Sequence, residues 1–316
     1  MSDAVVAREF APAYLALLAD GELERRVERG REYLKNCVLC GRHCEIDRLK
    51  TIRGSICRVG ELARVASYGP HHGEEDPLRG DKGSGTIFIS SCSLLCVYCQ
   101  NADISQKGIG RDVTPQEMAA MMLELQAFGC HNINFVSPSH VVAQILNAVL
   151  LAARDGLRIP LVYNTGGYDS PEALELLDGV IDIYMPDMKY GDSLTAHQFS
   201  QVRHYVEVNR AAVREMHRQV GDLLLDERGV ALRGLLVRHL VLPGGLAGSG
   251  RVLEFIAEEI SRDTYVNLMD QYRPCYRADD YPPLDRPLDA ADYRRALALA
   301  ERYGLRRLAN HPNRFC

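Results

Sequence analysis

From residue 86 onward the chain alternates short apolar runs with helix-length segments, and this limits the possible folds more than any other feature of its 316 residues. Residues 86–90 (TIFIS) predict a buried strand, and Thr114-Pro115-Gln116-Glu117 predicts a helix start with an N-cap and a proline in the first turn. Further strands are expected at 132–136, 160–163, 181–185, 235–242 and 265–269. Helices are expected at 139–154, from Ser170, and at 194–220, 250–261 and 288–303. Six β-then-α units in a row call for an α/β fold with a parallel sheet and right-handed crossovers, either an open doubly wound sheet or a partial (β/α)6 barrel. In both, ligands bind beyond the carboxyl ends of the strands.

Ahead of this series, residues 1–36 read as helical, with Leu15, Leu17 and Leu18 in one segment and Leu23, Val27 and Leu34 in the next. Residues 37–60 change to short loops punctuated by Gly and Arg, and 67–85 is dense in Gly, Pro and charge, which marks a loop or boundary. The expected organisation is an N-terminal helical, cysteine-rich, metal-binding extension over 1–84 and an α/β body over 85–316. Hydrophobic residues at 47% and charged residues at 25% are ordinary for a globular protein. Lys plus Arg at 37 against Asp plus Glu at 42 leaves −5, which disfavours a nucleic-acid binder. No apolar run approaches the ~20 residues of a membrane span. The start MSDAVVAREF lacks a signal-peptide layout, so a cytoplasmic location is expected.

In a reducing compartment the ten cysteines are expected to hold metal or do redox work rather than form disulfides. Cys92-x3-Cys96-x2-Cys99 follows the first strand of the α/β body directly. Three thiolates on one short loop suit an iron–sulfur cluster with one iron left open for a substrate or cofactor. A zinc knuckle with a distant fourth ligand and plain buried thiols are the alternatives. Cys37-x2-Cys40-x3-Cys44-x12-Cys57 has the arithmetic of a four-thiolate site, for which zinc and an auxiliary iron–sulfur centre both qualify. Reduced thiols without metal are the plainer reading. Cys130 reads as a core residue, Cys275 as either a core residue or a ligand, and Cys316 as a terminal residue.

CxxxCxxC with an aromatic residue before its last cysteine, at the carboxyl end of the first strand of a β/α chain, resembles the radical S-adenosylmethionine (SAM) superfamily. The segments NFVSPSH, YNTGGYD, YMPDMKY, RHLVLPGG and VNLMDQYRP resemble strand-end motifs of the branch related to pyruvate formate-lyase activating enzyme. Within it, they are similar to uncharacterised paralogues with cysteines ahead of the core. The likeness runs from about Cys37 to Pro274. It implies a radical SAM partial barrel in which Cys92, Cys96 and Cys99 bind a [4Fe–4S] cluster and SAM chelates the fourth iron. The implied activity is reductive SAM cleavage to a 5′-deoxyadenosyl radical that removes hydrogen from a protein, as in a glycyl-radical activase, or from a small molecule. An electron donor such as flavodoxin or ferredoxin is implied as partner.

The resemblance also places SAM contacts. Tyr98 would lie over the adenine, and Asn164 begins a Gly-rich turn near the ligand. Asp187 and Lys189 alternate at a strand end and so point the same way, the carboxylate suiting ribose hydroxyls or an ammonium and the lysine the SAM carboxylate. An ion pair capping the sheet is the plainer reading. The family's Gly-Gly-Glu-like segment is here Ser137-Pro138-Ser139-His140, with no acidic residue, so Ser137 or Ser139 would offer oxygen acceptors. Of Arg238 and His239 one faces the interior, and His239 is taken as the SAM-side residue. Gln271 and Tyr272 are candidates for the adenine side. The extra cysteines of activases with a ferredoxin-like insert follow the triad, whereas these precede it. Two other function classes compete: a non-catalytic iron–sulfur or zinc protein for redox sensing or electron transfer, and a zinc-ribbon nucleic-acid binder.

Overall fold

The computed structural model describes residues 10–309. Two helices come first, α1 (Tyr14–Ala19) and α2 (Glu22–Lys35), and the four-cysteine stretch then leads to β1 (Ala63–His71). A one-turn helix, α3 (Asp76–Arg79), precedes β2 (Ser84–Ile89), and α4 (Ala102–Ser105) and β3 (Arg111–Val113) follow. The alternating series continues with α5 (Pro115–Ala127), β4 (Ile133–Val136), α6 (Val142–Arg154), β5 (Leu161–Thr165), α7 (Pro171–Leu177) and β6 (Ile183–Pro186). After α8 (Ser193–Ser200) and α9 (Tyr205–Val220) come β7 (Leu224–Leu225), β8 (Ala231–Leu240), α10 (Ser249–Phe255), β9 (Tyr265–Met269), α11 (Ala290–Tyr303) and β10 (Arg307–Leu308). No described helix is long and apolar enough to cross a membrane.

Strands β2, β4, β5, β6, β8 and β9 lie side by side in chain order and parallel, with β10 added beyond β9. The antiparallel strands β1 and β3 extend the other edge, and the sheet stays open. This is the α/β partial (β/α)6 barrel that the resemblance implied, one of the two forms that the alternation allowed. The start of α5 is also as predicted: Thr114 and Glu117 form a reciprocal capping box with Pro115 in the first turn.

Residue parity along the strands separates two apolar clusters. Ile133, Phe135, Leu161, Tyr163, Tyr184, Leu235 and Val237 face outward into the main core beneath the helices. Val162, Ile183, Met185, Ala231 and Leu236 face inward and pack around Leu78 of α3. The short helix α3 therefore plugs the barrel at the amino ends of the strands. Its carbonyl at Leu78 accepts from Asn132 Nδ2 at 2.8 Å, and Glu75 just before it accepts from Asn267 Nδ2 at 2.8 Å. The N-terminal extension packs into the outer core, with Tyr14, Leu23 and Leu34 buried there. Gly30 lies so close to α6 that an added Cβ would stand 3.3 Å from Ala143.

Several elements differ from the expectation. The Gly/Pro-rich stretch expected to be a loop begins within β1, which tolerates Pro70 because β3 pairs only with residues 63–65 and leaves that end of β1 bonded to β2 alone. β3, also antiparallel, was not foreseen. The single helix expected over 194–220 is two, α8 and α9, broken where Gln201 and His204 take left-handed φ values of 52°. Leu78 supplies the plug's apolar contact and is fully buried. Leu78→Ala is expected to destabilise the chain by about 2–5 kcal/mol in urea unfolding, as for other cavity-forming core truncations.

Candidate active site

The loop after β2 carries Cys92, Cys96 and Cys99 and is held from several directions. Leu95 and Val97 donate their backbone N–H to the carbonyls of Ser200 and Phe199 at 3.0 and 2.8 Å. These carbonyls are within reach because the helix breaks after Ser200. Arg42 Nε donates to Ser93 O at 2.8 Å, and Arg277 N donates to Val97 O at 2.8 Å. Distant elements thus set the loop's shape.

Each of the three sulfurs has a hydrogen-bonding neighbour. Leu94 N–H points at Cys92 Sγ (3.4 Å), Ser105 Oγ lies 3.0 Å from Cys99 Sγ, and Ser200 Oγ lies 3.0 Å from Cys96 Sγ. The bond at Cys96 ends a hydroxyl chain. Tyr98 donates to Tyr190 (2.7 Å), so the Tyr190 proton goes to Ser200 (2.7 Å) and the Ser200 proton to the sulfur. Donors aimed at sulfur stabilise the thiolate form that ligates metal. Burial raises the Cys92 thiol to about 12 and also raises Cys96, with Lys189 acting against burial at Cys96. A bound cation reverses such a shift, since a coordinating thiol is deprotonated outright.

The three cysteines face a cavity of about 250 Å³ at the carboxyl ends of the strands. Its wall also carries Ser137, Asn164, Asp187, Lys189 and Arg238. Asp187 lies between two cations, with Lys189 Nζ at 2.6 Å and Arg238 Nε at 2.8 Å, and Arg238 Nη2 donates to Asn164 Oδ1 at 2.6 Å. Burial alone would raise the Asp187 carboxyl, but Arg238 and Lys189 outweigh it and hold it below the usual range. Tyr98 forms part of an aromatic side wall, with Tyr190 and Tyr272 edge-on at 6.4 and 6.0 Å between centroids. Gln271 completes the rim, its carbonyl accepting from Gln100 Nε2 at 3.3 Å.

Residues 86–225 match the radical SAM superfamily model, a span that runs from within β2 to the end of β7. The chain is similar to the uncharacterized protein MJ0674 of Methanocaldococcus jannaschii, 32% identical over 293 residues, covering 90% of this chain and 79% of that protein. The chain belongs to the radical SAM superfamily. A second protein of that organism, the uncharacterized protein MJ0808, is 22% identical over 285 residues and covers 84% of this chain and 78% of its own length. Among solved structures, a radical SAM methyltransferase from Sphaerobacter thermophilus aligns with a TM-score of 0.47 at 14% identity, over 71% of this chain and 64% of that one. The [FeFe]-hydrogenase maturase HydG aligns with a TM-score of 0.48 at 12% identity, over 70% and 49%. The chain thus spans less than two thirds of either structure.

In this radical SAM chain the cavity gathers Cys92, Cys96, Cys99, Tyr98, Ser137, Asn164, Asp187 and Lys189 from the residues expected by sequence. His239 is the exception. Strand parity sends Arg238 inward and His239 outward, where it is fully buried, with Nδ1 donating to Met188 O at 2.6 Å and Nε2 accepting from Ser249 Oγ at 2.9 Å. Ser139 also turns away, its hydroxyl 2.8 Å from that of Thr165. Tyr272 stands behind Tyr98, with its hydroxyl donating to Leu284 O at 2.5 Å. Ser105 and Ser200 were not anticipated. Ser200 lies 104 positions from its sulfur partner, beyond any local spacing signal.

The N-terminal cysteines form a separate group. Cys37, Cys40, Cys44 and Cys57 surround a small pocket that also touches Ser93 of the triad loop and His140. The bond from the Cys44 thiol, backed by Arg48, outweighs burial and lowers Cys37 below the usual thiol range, whereas burial raises Cys40 to about 12. Among the described residues no three His, Cys, Asp or Glu side chains close on one point as a single-ion site does; both cysteine groups ring a cavity instead. Cys130 is a buried core residue, Cys275 is half-buried outside the cavity wall, and Cys316 lies outside the described residues.

Burial lowers His239 to about 4, against the opposing bond to Met188 O. The unfolded chain therefore takes up this proton near the ordinary imidazole value of about 6.5, before the folded chain does. Stability present above pH 6.5 is lost as pH falls toward 4, by about 3 kcal/mol for this group. Urea titrations at pH 7 and pH 4.5 are expected to show a smaller acid loss for His239→Gln than for the parent chain.

Proposed function

We propose that this chain is a radical SAM enzyme that binds a [4Fe–4S] cluster on Cys92, Cys96 and Cys99 and SAM in the adjoining cavity. When bound, the two supply reductive sulfonium cleavage to methionine and a 5′-deoxyadenosyl radical that takes a hydrogen atom from the substrate. The substrate is a protein, as for a glycyl-radical activase, or a small molecule. A one-electron donor such as flavodoxin or ferredoxin supplies the reducing equivalent.

The observation that carries this reading is the placement of three thiols, each with a hydrogen-bonding neighbour, beside a cavity walled by paired charges. Three ligands leave one iron of a cubane open. In this reading Lys189 and Arg238 meet the SAM carboxylate, and Asp187 and Asn164 meet its ammonium or ribose hydroxyls. Ser137 stands where related proteins place an acidic segment and offers a neutral acceptor. The Tyr98 ring borders the adenine side with Gln271. Asp187 keeps both cations fixed in the absence of ligand, so little reorganisation accompanies binding. The aromatic side wall excludes water from the reacting atoms, which protects a radical from side reactions.

Anaerobic reconstitution with iron and sulfide, followed by dithionite and SAM, is expected to yield 5′-deoxyadenosine. Cys96→Ala is expected to abolish that product and to lower bound iron by about four per chain, with the chain still folded by circular dichroism. Unchanged product formation would overturn the reading. Lys189→Met is expected to weaken SAM binding about tenfold or more, by loss of one charge-assisted hydrogen bond worth about 1.5–3 kcal/mol.

A further inference from the structure

The pocket ringed by the N-terminal cysteines has an unusual charge inventory. Arg42 and Arg48 line it, and no carboxylate does. Arg48 is 2% exposed and forms no ion pair with an acidic residue among the described residues. Its guanidinium donates to the carbonyls of Val59, His140 and Gly60 at 2.8, 2.7 and 3.3 Å and approaches Cys37 Sγ at 3.5 Å. An arginine stays charged, and burying such a charge without a counter-anion is costly. On Arg42, Nε and Nη1 donate to carbonyls of the triad loop and of Gln201, while Nη2 is buried without a partner.

His140 adds an independent observation. It is 1% exposed and lines the same pocket. Its Nε2 lies 3.0 Å from Ser90 O, and a carbonyl only accepts, so Nε2 carries the proton. Nδ1 of the neutral ring is then a bare lone pair, buried without a partner. An unpartnered buried nitrogen beside the four thiols indicates that the pocket is incomplete without a further group.

We propose that Cys37, Cys40, Cys44 and Cys57 bind a second metal centre, that Arg42 and Arg48 are its counter-cations, and that His140 Nδ1 faces it. Four thiolates around an oxidised cubane make a dianion, and two guanidinium groups balance it. A closed centre of this kind leaves no ligand position for SAM. It braces the active site through two contacts, His140 to Ser90 and Arg42 to Ser93, which flank the start of the triad loop.

The test uses the full-length chain with Cys92, Cys96 and Cys99 all changed to Ala, purified without air. SAM cleavage is absent from this background by design, so the outcome is independent of the proposed activity. The chain is expected to retain about four irons with sulfide and broad visible absorption, since the four sulfurs ring a pocket and do not close on a single ion. Adding Cys40→Ser and Cys57→Ser is expected to remove it. Arg42 is partly solvent-facing and its replacement is compatible with folding, so Arg42→Gln serves if the double serine variant fails to fold. That change is expected to lower metal affinity about tenfold in a chelator competition. Absence of metal in the triad-free chain, after exposure to iron and sulfide, overturns the proposal. So does metal content unchanged by both the serine and the Arg42→Gln substitutions.

Discussion

Asp187 is the residue on which the rest of the cavity depends. Its carboxylate sits between Lys189 and Arg238, and its backbone ties together four elements. The amide donates to Thr165 O of β5 at 2.8 Å, and the carbonyl accepts from the Tyr205 hydroxyl and Asn209 Nδ2 of α9, each at 3.1 Å. A bridge to Arg238 extends β6 alongside β8. Gly167, with φ of +73°, passes so near that an added Cβ would stand 2.3 Å from Asp187 O and 2.1 Å from Asn209 Nδ2. The glycine in this turn is there to admit that backbone, whatever else the turn touches. A buried charge stripped of one partner is far costlier than a complete set, so the three charged side chains stand or fall together.

The charges also join the two ends of the barrel. Glu75, ahead of the plug helix, is buried and lies 3.9 Å from Arg238 Nη1. Burial raises its carboxyl even though Arg238 opposes the shift. Below the cavity the interior is apolar around Leu78, and above it is charged. The gradient concentrates electrostatic interaction at the mouth, where the strands end and the triad loop begins.

The six parallel strands were legible because strands buried on both faces read as short apolar runs, and Gly, Pro and capping signals punctuate them. β1 and β3 were not, since half-exposed antiparallel strands need no continuous apolar run. The triad, Asp187 and Lys189 were legible for a related reason: their spacing is local, two to four positions, and the elements beneath them are regular. Arg238 and His239 show where local reading stops. Adjacent residues on a strand face opposite ways, and only the pairing of β8 with β6 and β9 decides which is inside. The break between α8 and α9 was equally hidden, because Gln201 and His204 carry no obvious breaker signal yet adopt left-handed backbone.

That break has a consequence for the cysteines. A continuous helix over 194–220 would satisfy the carbonyls of Phe199 and Ser200 internally, and the loop amides at Val97 and Leu95 would lose their acceptors. Ending α8 early releases both carbonyls to the triad loop, frees Gln201 O for Arg42, and leaves the Ser200 hydroxyl against Cys96 Sγ. One local departure from helical backbone therefore shapes the loop, supplies a donor to a sulfur, and anchors the arginine that reaches toward the other cysteine group. The two groups of thiols differ most in what surrounds them. The triad opens onto a cavity whose cations already have a carboxylate between them, while the N-terminal four are enclosed with cations that have none. A cavity with its charges paired is ready for a ligand that brings both signs, as an amino acid does. A closed pocket with unbalanced cations is suited only to something negative that stays.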